Sequence, residues 1–197
     1  YTLRANVPQD ANGLAALKLT SYPDEILAAS AFSQQTKEYN LTLSDSKVVG
    51  RTLIISAIPA TSGATMSAQL NDAAEISLNA ASSLSESSGS IELWKNGAQT
   101  QPVHVGTNTL TITVTPTDGE ATVYTININI QPTLSALSVK NGEEELAFDK
   151  DFDGDVNAYT LDVWDNVKSL TLSAKERMTG IAKVTLPAEA SEDGTLD

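Results

Sequence analysis

The sequence predicts an all-β protein made of antiparallel β-sandwich modules in tandem. Three observations predict it. Apolar residues recur at every second position in several segments, turn-forming pairs containing glycine separate those segments, and one ordered set of anchor residues occurs twice. There is no cysteine among the 197 residues, so neither disulfides nor thiolate metal sites contribute to such a fold.

The clearest segment is NTLTITVTPTDGEATVYTININI, residues 108–130. Leu110, Ile112 and Val114 alternate with Thr109, Thr111, Thr113 and Thr115, and Tyr124, Ile126, Ile128 and Ile130 alternate with Thr125, Asn127 and Asn129. One apolar and one polar face at period two is the pattern of a half-buried strand. Threonine suits the exposed face because its branched Cβ packs well on a pleated surface. Asp118-Gly119 supplies residues that tolerate positive φ, so the two runs read as a hairpin.

Shorter runs repeat the theme. RTLIISAIP (51–59) and KSLTLSA (168–174) read as strands, and Asn96-Gly97 and Asn141-Gly142 each separate two extended runs. In PVHV (102–105) the alternation places His104 on an exposed strand position, and ASSLSESSGS (81–90) reads as a surface loop re-entering a strand at its end. Helical periodicity is weak throughout. DEILAASAF (24–32) and AKERMTGIAKV (174–184) are expected to form a turn or two of helix at most.

The repeat joins residues 14–43 to residues 134–163. Leu14, Leu17, Leu19, Phe32, Tyr39, Leu41 and Leu43 match Leu134, Leu137, Val139, Phe152, Tyr159, Leu161 and Val163 in order and spacing. YTLRA at residues 1–5 looks like YTINI at 124–128. The expected organisation is therefore a closing strand or linker over 1–10, a complete module over 11–132, and the first part of a second module over 133–197. Alternatively, the opening YTLRANV belongs with that last module, whose open sheet edge needs cover.

These anchors resemble a known family. L-x-x-L-x-L at Leu134 and Leu137, then Phe152 and Tyr159 in F-x6-Y-T-L-x-V, then Gly106, Asn108, Leu110, Ile112 and Val114 in G-x-N-x-L-x-I-x-V, then Asp118-Gly119 and Y-T-I-x-I at Tyr124 and Ile126 are similar to the bacterial cadherin-like β-sandwich repeats. The region 65–91 departs from the pattern, being longer and richer in serine. The resemblance implies an Ig-like sandwich that serves as a spacer, adhesion or accessory module in multidomain secreted or cell-surface bacterial proteins. It implies no catalytic residues and no enzyme. Expected partners are other domains of the same polypeptide, with a cell-surface protein or glycan beyond them.

Composition narrows the function classes. The formal net charge of −13 disfavours nucleic acids and anionic membranes, and no cluster of lysine or arginine offsets it. No apolar run reaches the roughly 20 residues of a membrane helix, so membrane insertion is not expected. No signal-peptide pattern opens the sequence, which reads as a mature or trimmed fragment of an extracellular protein.

Two places invite a ligand. In DKDFDGDVNAYT (149–160), Asp149, Asp151, Asp153 and Gly154 fall where a calcium loop puts its first ligands and its turn glycine. Such a loop needs a bidentate acid at position 12 and a helix after it, whereas Thr160 stands there and YTLDV continues as a strand. The segment thus reads first as an acidic entrance to a strand, with a loose calcium site on Asp149, Asp151, Asp153 and Asp155 as the competing expectation. Trp94 is the candidate stacking surface for a carbohydrate, competing with a plain core or hairpin role. His104, the single histidine, lacks the partners of a zinc site or a catalytic triad.

Overall fold

The computed structural model describes residues 12–78, 86–94, 101–164, 167 and 169–178. The expectations for 1–10, for Asn96-Gly97 and for the chain beyond Met178 lie outside the described residues. The chain divides into two compact units, Tyr1–Leu43 with Lys47–Ile130, and Ser44–Ser46 with Gln131–Asp197.

The first unit is all-β, as its period-two sequence requires. Its strands are β1 (Leu14–Ser21), β2 (Asp24–Leu27), β3 (Glu38–Ser44), β4 (Thr52–Pro59), β5 (Thr65–Leu70), β6 (Ile76–Leu78), β7 (Ser87–Glu92), β8 (Gly106–Thr115) and β9 (Thr122–Gln131). They form a four-stranded sheet in the order β2-β1-β4-β7 and a five-stranded sheet in the order β3-β9-β8-β5-β6. The β8–β9 hairpin sets Leu110 opposite Ile126 and Ile112 opposite Tyr124, all fully buried, while Thr109 lies opposite Asn127 on the other face. Leu17, Leu19, Leu53 and Ile55 supply the matching buried row from β1 and β4. Each such side chain contributes about 1.5–3 kcal/mol by leaving water, so the facing rows dominate the stability of this sandwich.

Gly89 shows how closely the sheets approach at one edge. A Cβ there would lie 2.5 Å from Leu78 Cδ2 and 2.9 Å from Ile76 Cδ1, so a side chain at this position would have to push the ends of Leu78 and Ile76 aside. Gly89→Val is expected to destabilise the first unit by about 2 kcal/mol through overpacking, read as a lower urea midpoint at unchanged slope.

Several local expectations change. Residues 24–32 hold a strand and a single helical turn. The Tyr22-Pro23 turn folds Asp24–Leu27 back onto β1, where the ladder satisfies the backbone, and only a single 3-10 turn follows at Ala29–Ala31. Thr171–Glu176 is likewise a strand, not the start of a helix. Residues 102–105 form no strand, although His104 is exposed as expected. The serine-rich stretch is already β7 from Ser87 onward, and its part over 81–85 lies outside the described residues. The β8–β9 ladder stops at Val114 and Thr122, so Gly119, at φ 111°, sits inside a longer loop and not in a two-residue turn.

The second unit contains β10 (Leu134–Asn141), β11 (Glu144–Leu146) and β12 (Thr171–Glu176), in the order β11-β10-β12. Gly142, at φ 61°, makes the tight turn between β10 and β11. Its arrangement copies β1 with β2 and β4. The β10–β12 register slips between Leu134 and Ala136, as the β1–β4 register slips between Leu14 and Ala16. Arg177 N donates to Thr133 O at 3.2 Å, and Ala60 N donates to Gly13 O at 2.9 Å in the corresponding place. Coverage differs between the two units. Among the described residues, the buried apolar side chains of the second unit are Val139 and Met178, while Leu137 and Leu172 remain half-buried.

Candidate functional site

The acidic loop at 149–160 closes on itself through a tyrosine. The Tyr159 hydroxyl accepts from Asp153 N at 2.6 Å and donates to Asp153 O at 2.5 Å. Phe148 and Phe152 flank the Tyr159 ring at 5.1 and 5.8 Å, and Lys150 Nζ lies 5.3 Å from its centroid. The carboxylates serve the same closure. Asp149 Oδ1 accepts from Thr160 N at 3.0 Å, Asp153 Oδ1 accepts from Asp155 N at 3.0 Å, and both oxygens of Asp155 accept from Ser46 Oγ. Asp149, Asp151, Asp153 and Asp155 are all exposed. Among the described residues no three His, Cys, Asp or Glu side chains gather into a metal-holding group.

The first unit repeats this closure with almost no acid. Tyr39 hydroxyl accepts from Ser33 N at 2.7 Å and donates to Ser33 O at 2.9 Å, with Phe32 stacked on its ring at 5.9 Å. Ser33 stands in the place of Asp153. The loop geometry therefore follows from the Phe-Tyr pair and the hydroxyl lock, a form of tyrosine corner, whatever the charge of the loop.

Trp94 is 7% exposed and follows buried Leu93, so its ring offers almost no face to a sugar. The exposed tryptophan is Trp164, at 82%. His104 is exposed, and its Nδ1 lies 2.9 Å from Val105 O.

Two polar arrangements that sequence reading missed hold the first unit together. Asn108 is fully buried. Its Oδ1 accepts from His104 N and Asn71 Nδ2, both at 2.9 Å, and its Nδ2 donates to His104 O at 2.7 Å, Gly106 O at 3.0 Å and Ile128 O at 3.4 Å. Asn71, at φ 49°, completes the clasp by donating to Pro102 O and accepting from Thr109 N. The signal lay in the register: Asn108 occupies an inward position two residues before Leu110, where an apolar residue belongs. The second arrangement surrounds Tyr124, whose hydroxyl accepts from Leu14 N at 2.9 Å and Lys37 Nζ at 3.0 Å. Lys37 Nζ also lies 4.3 Å from the centroid of that ring, and Phe32 packs 5.6 Å away.

Within the second unit, the buried Asp45 carboxylate accepts from Thr133 Oγ1 and lies 3.6 Å from Arg177 Nε. The guanidinium bonds Thr133 Oγ1 and Leu134 O, both at 3.2 Å, which makes the group a brace for the start of β10. On the surface of the first unit, Glu25 lies 2.8 Å from Lys18 Nζ and raises the lysine pKa above its ordinary value. This pair and the brace both have ordinary structural roles, and neither assembles a nucleophile with a base.

The model of the cadherin-like beta sandwich domain matches residues 14–130, more than half of the chain. The chain belongs to this family. The match covers β1 through nearly all of β9 and thus the whole of the sandwich described above. Cadherin-like sandwich domains are non-catalytic modules with interaction or spacing roles. A comparison with curated proteins finds no match. Among the described residues no helix is long and apolar enough to cross a membrane.

Proposed function

We propose that this cadherin-like chain is a non-catalytic spacer from a larger secreted or surface-attached bacterial protein, in which sandwich modules follow one another and present interaction surfaces to protein partners. One observation carries the reading. The second unit repeats the first strand-for-strand through β10, β11 and β12, with the same register slip and the same Phe-Tyr lock, so it reads as the opening part of a second module. Modules in series set distance and direction between functional parts of a polypeptide, and neighbouring domains of that polypeptide are the first partners. The charge of −13 keeps such an array soluble and repels nucleic acid.

Single-molecule stretching of the full chain tests the proposal. A load-bearing spacer opens in a discrete cooperative step, and release of residues 14–130 lengthens the tether by about 390–420 Å at roughly 3.3–3.6 Å per residue, less the span of the folded unit. Gradual extension with no step would remove the reading.

The calcium-stiffened alternative makes a different prediction. A calcium site filled at about one hundred times its Kd would add about 2.7 kcal/mol and move the melting temperature by several degrees. We expect a shift below about 1 °C in millimolar calcium, measured by differential scanning calorimetry, because three of the four aspartates already accept bonds within the loop or from Ser46.

A further inference from the structure

The outward face of β3 carries a short polar pattern that its place in the fold does not require. Glu38, Asn40 and Thr42 are exposed, whereas Tyr39 and Leu41 are half-buried and Leu43 is buried. The strand lies at one end of the five-stranded sheet. In the second unit Thr160 stands in the place of Asn40 and Asp162 in the place of Thr42, and the Phe-Tyr lock closes there all the same.

Asn40-Leu41-Thr42 spells the acceptor sequence of N-linked glycans. No other asparagine of the chain is followed two positions later by serine or threonine. An extended strand sets residues two apart on one face, so the Asn40 carboxamide and the Thr42 hydroxyl look out together. From β9, Asn127 Nδ2 donates to Asn40 Oδ1 at 3.1 Å and to Glu38 Oε1 at 2.9 Å. The carboxamide is thus held by its oxygen. Its nitrogen, the atom that carries a glycan, has no protein partner among the described residues.

The neighbouring surface suits a sugar. Thr109 lies opposite Asn127, and Thr111 opposite Thr125, on the same outward face. β8 and β9 contain no charged residue, although the chain carries a net charge of −13. Hydroxyl and amide groups there offer a glycan hydrogen bonds without the cost of covering a charge.

We propose that Asn40 is an N-glycan attachment site, filled from an oligosaccharide carried on a polyprenyl diphosphate. The bond from Nδ2 to C1 of the first sugar forms, and the bond from C1 to the phosphate oxygen breaks. The diphosphate leaves with that electron pair, and one amide proton passes to a base of the transferase. Glu38, two residues earlier on the same face, gives the transferase a carboxylate to pair with a cation. A bulky, solubilising group on the end strand also hinders pairing with the edge of another chain. Attachment in the cell rests on the reading of this chain as part of an exported protein.

The test is to express the full chain behind an export signal in a bacterial host that holds an N-oligosaccharyltransferase and its polyprenyl-diphosphate oligosaccharide. Intact mass is the readout. A gain of one oligosaccharide is expected, lost in Asn40→Gln and in Thr42→Val and kept in Thr42→Ser. Valine retains the branched Cβ at this exposed strand position, so Thr42→Val should unfold thermally with the parent, which separates a lost acceptor from a lost fold. A parent chain without the added mass, or added mass that persists in Asn40→Gln or Thr42→Val, would overturn the proposal. Export is supplied in this assay, so its failure counts against Asn40 alone and leaves the spacer reading to the stretching experiment.

Discussion

Asn108→Leu is expected to destabilise the first unit by about 4 kcal/mol, although leucine suits the inward register of β8 better by polarity alone. The amide is fully buried, accepts two hydrogen bonds, and shares its two N–H donors among three carbonyl oxygens, of which Ile128 O is the farthest. Leucine would leave His104 N, His104 O and Gly106 O without their partner, and Asn71 Nδ2 would keep only Pro102 O. These part-buried groups lie toward the lower end of the about 1–3 kcal/mol that each unpaired group costs, and together they outweigh the apolar gain of one leucine. Asn108→Asp should be at least as damaging, because a carboxylate cannot donate to the carbonyl oxygens and would be buried facing them. Urea unfolding followed by circular dichroism reads both, and hydrogen exchange should show residues 101–107 opening first. An unchanged midpoint for Asn108→Leu would show that the clasp contributes nothing.

Trp94→Ala should cost about 4 kcal/mol, in the range typical of a buried tryptophan truncated to alanine. Leu93 and Trp94 are buried one after the other, at 3% and 7% exposure, which breaks the alternation of β7 and marks the point where the chain leaves the sheet. Leu93 N donates to Arg51 O at 3.1 Å, so the backbone there is still tied to the sandwich. A sugar-stacking tryptophan behaves in the opposite way: its loss spares stability and removes a ligand. Thermal unfolding of the variant therefore decides between a core role and a carbohydrate platform without any knowledge of the sugar.

The strands were legible wherever alternation ran long enough. The β8–β9 hairpin and β4 could be read from their residues, and so could the pairing of Phe32 with Tyr39 and of Phe152 with Tyr159. Sheet membership was not legible. That β3 leaves the β1–β4 sheet and joins β9 depends on Lys37, Glu38 and Asn40 meeting Thr125 and Asn127, contacts across more than eighty residues that no local period encodes. The segments 24–27 and 174–176 misled because alanine and charged residues favour helix in isolation, whereas an available neighbouring strand edge decides in the fold. The spacing of the aspartates in 149–160 is visible in the sequence, while the hydroxyl lock on the Asp153 backbone is not. Asn108 was visible as a polar residue in an apolar row, but its partners lie in a loop whose path only the fold defines.

The slip after Leu14, and again after Leu134, explains the spelling L-x-x-L-x-L. Two residues on one strand facing a single residue on the next let side chains three apart point the same way, so Leu14, Leu17 and Leu19 all face inward. What resembles a helical interval is thus a kink written into the chain. Removing Ala15 would leave L-x-L-x-L, a straight strand that keeps all three leucines on one face and loses the kink. The motif is a portable bend, and grafting it onto the first strand of an unrelated sandwich should carry the kink along.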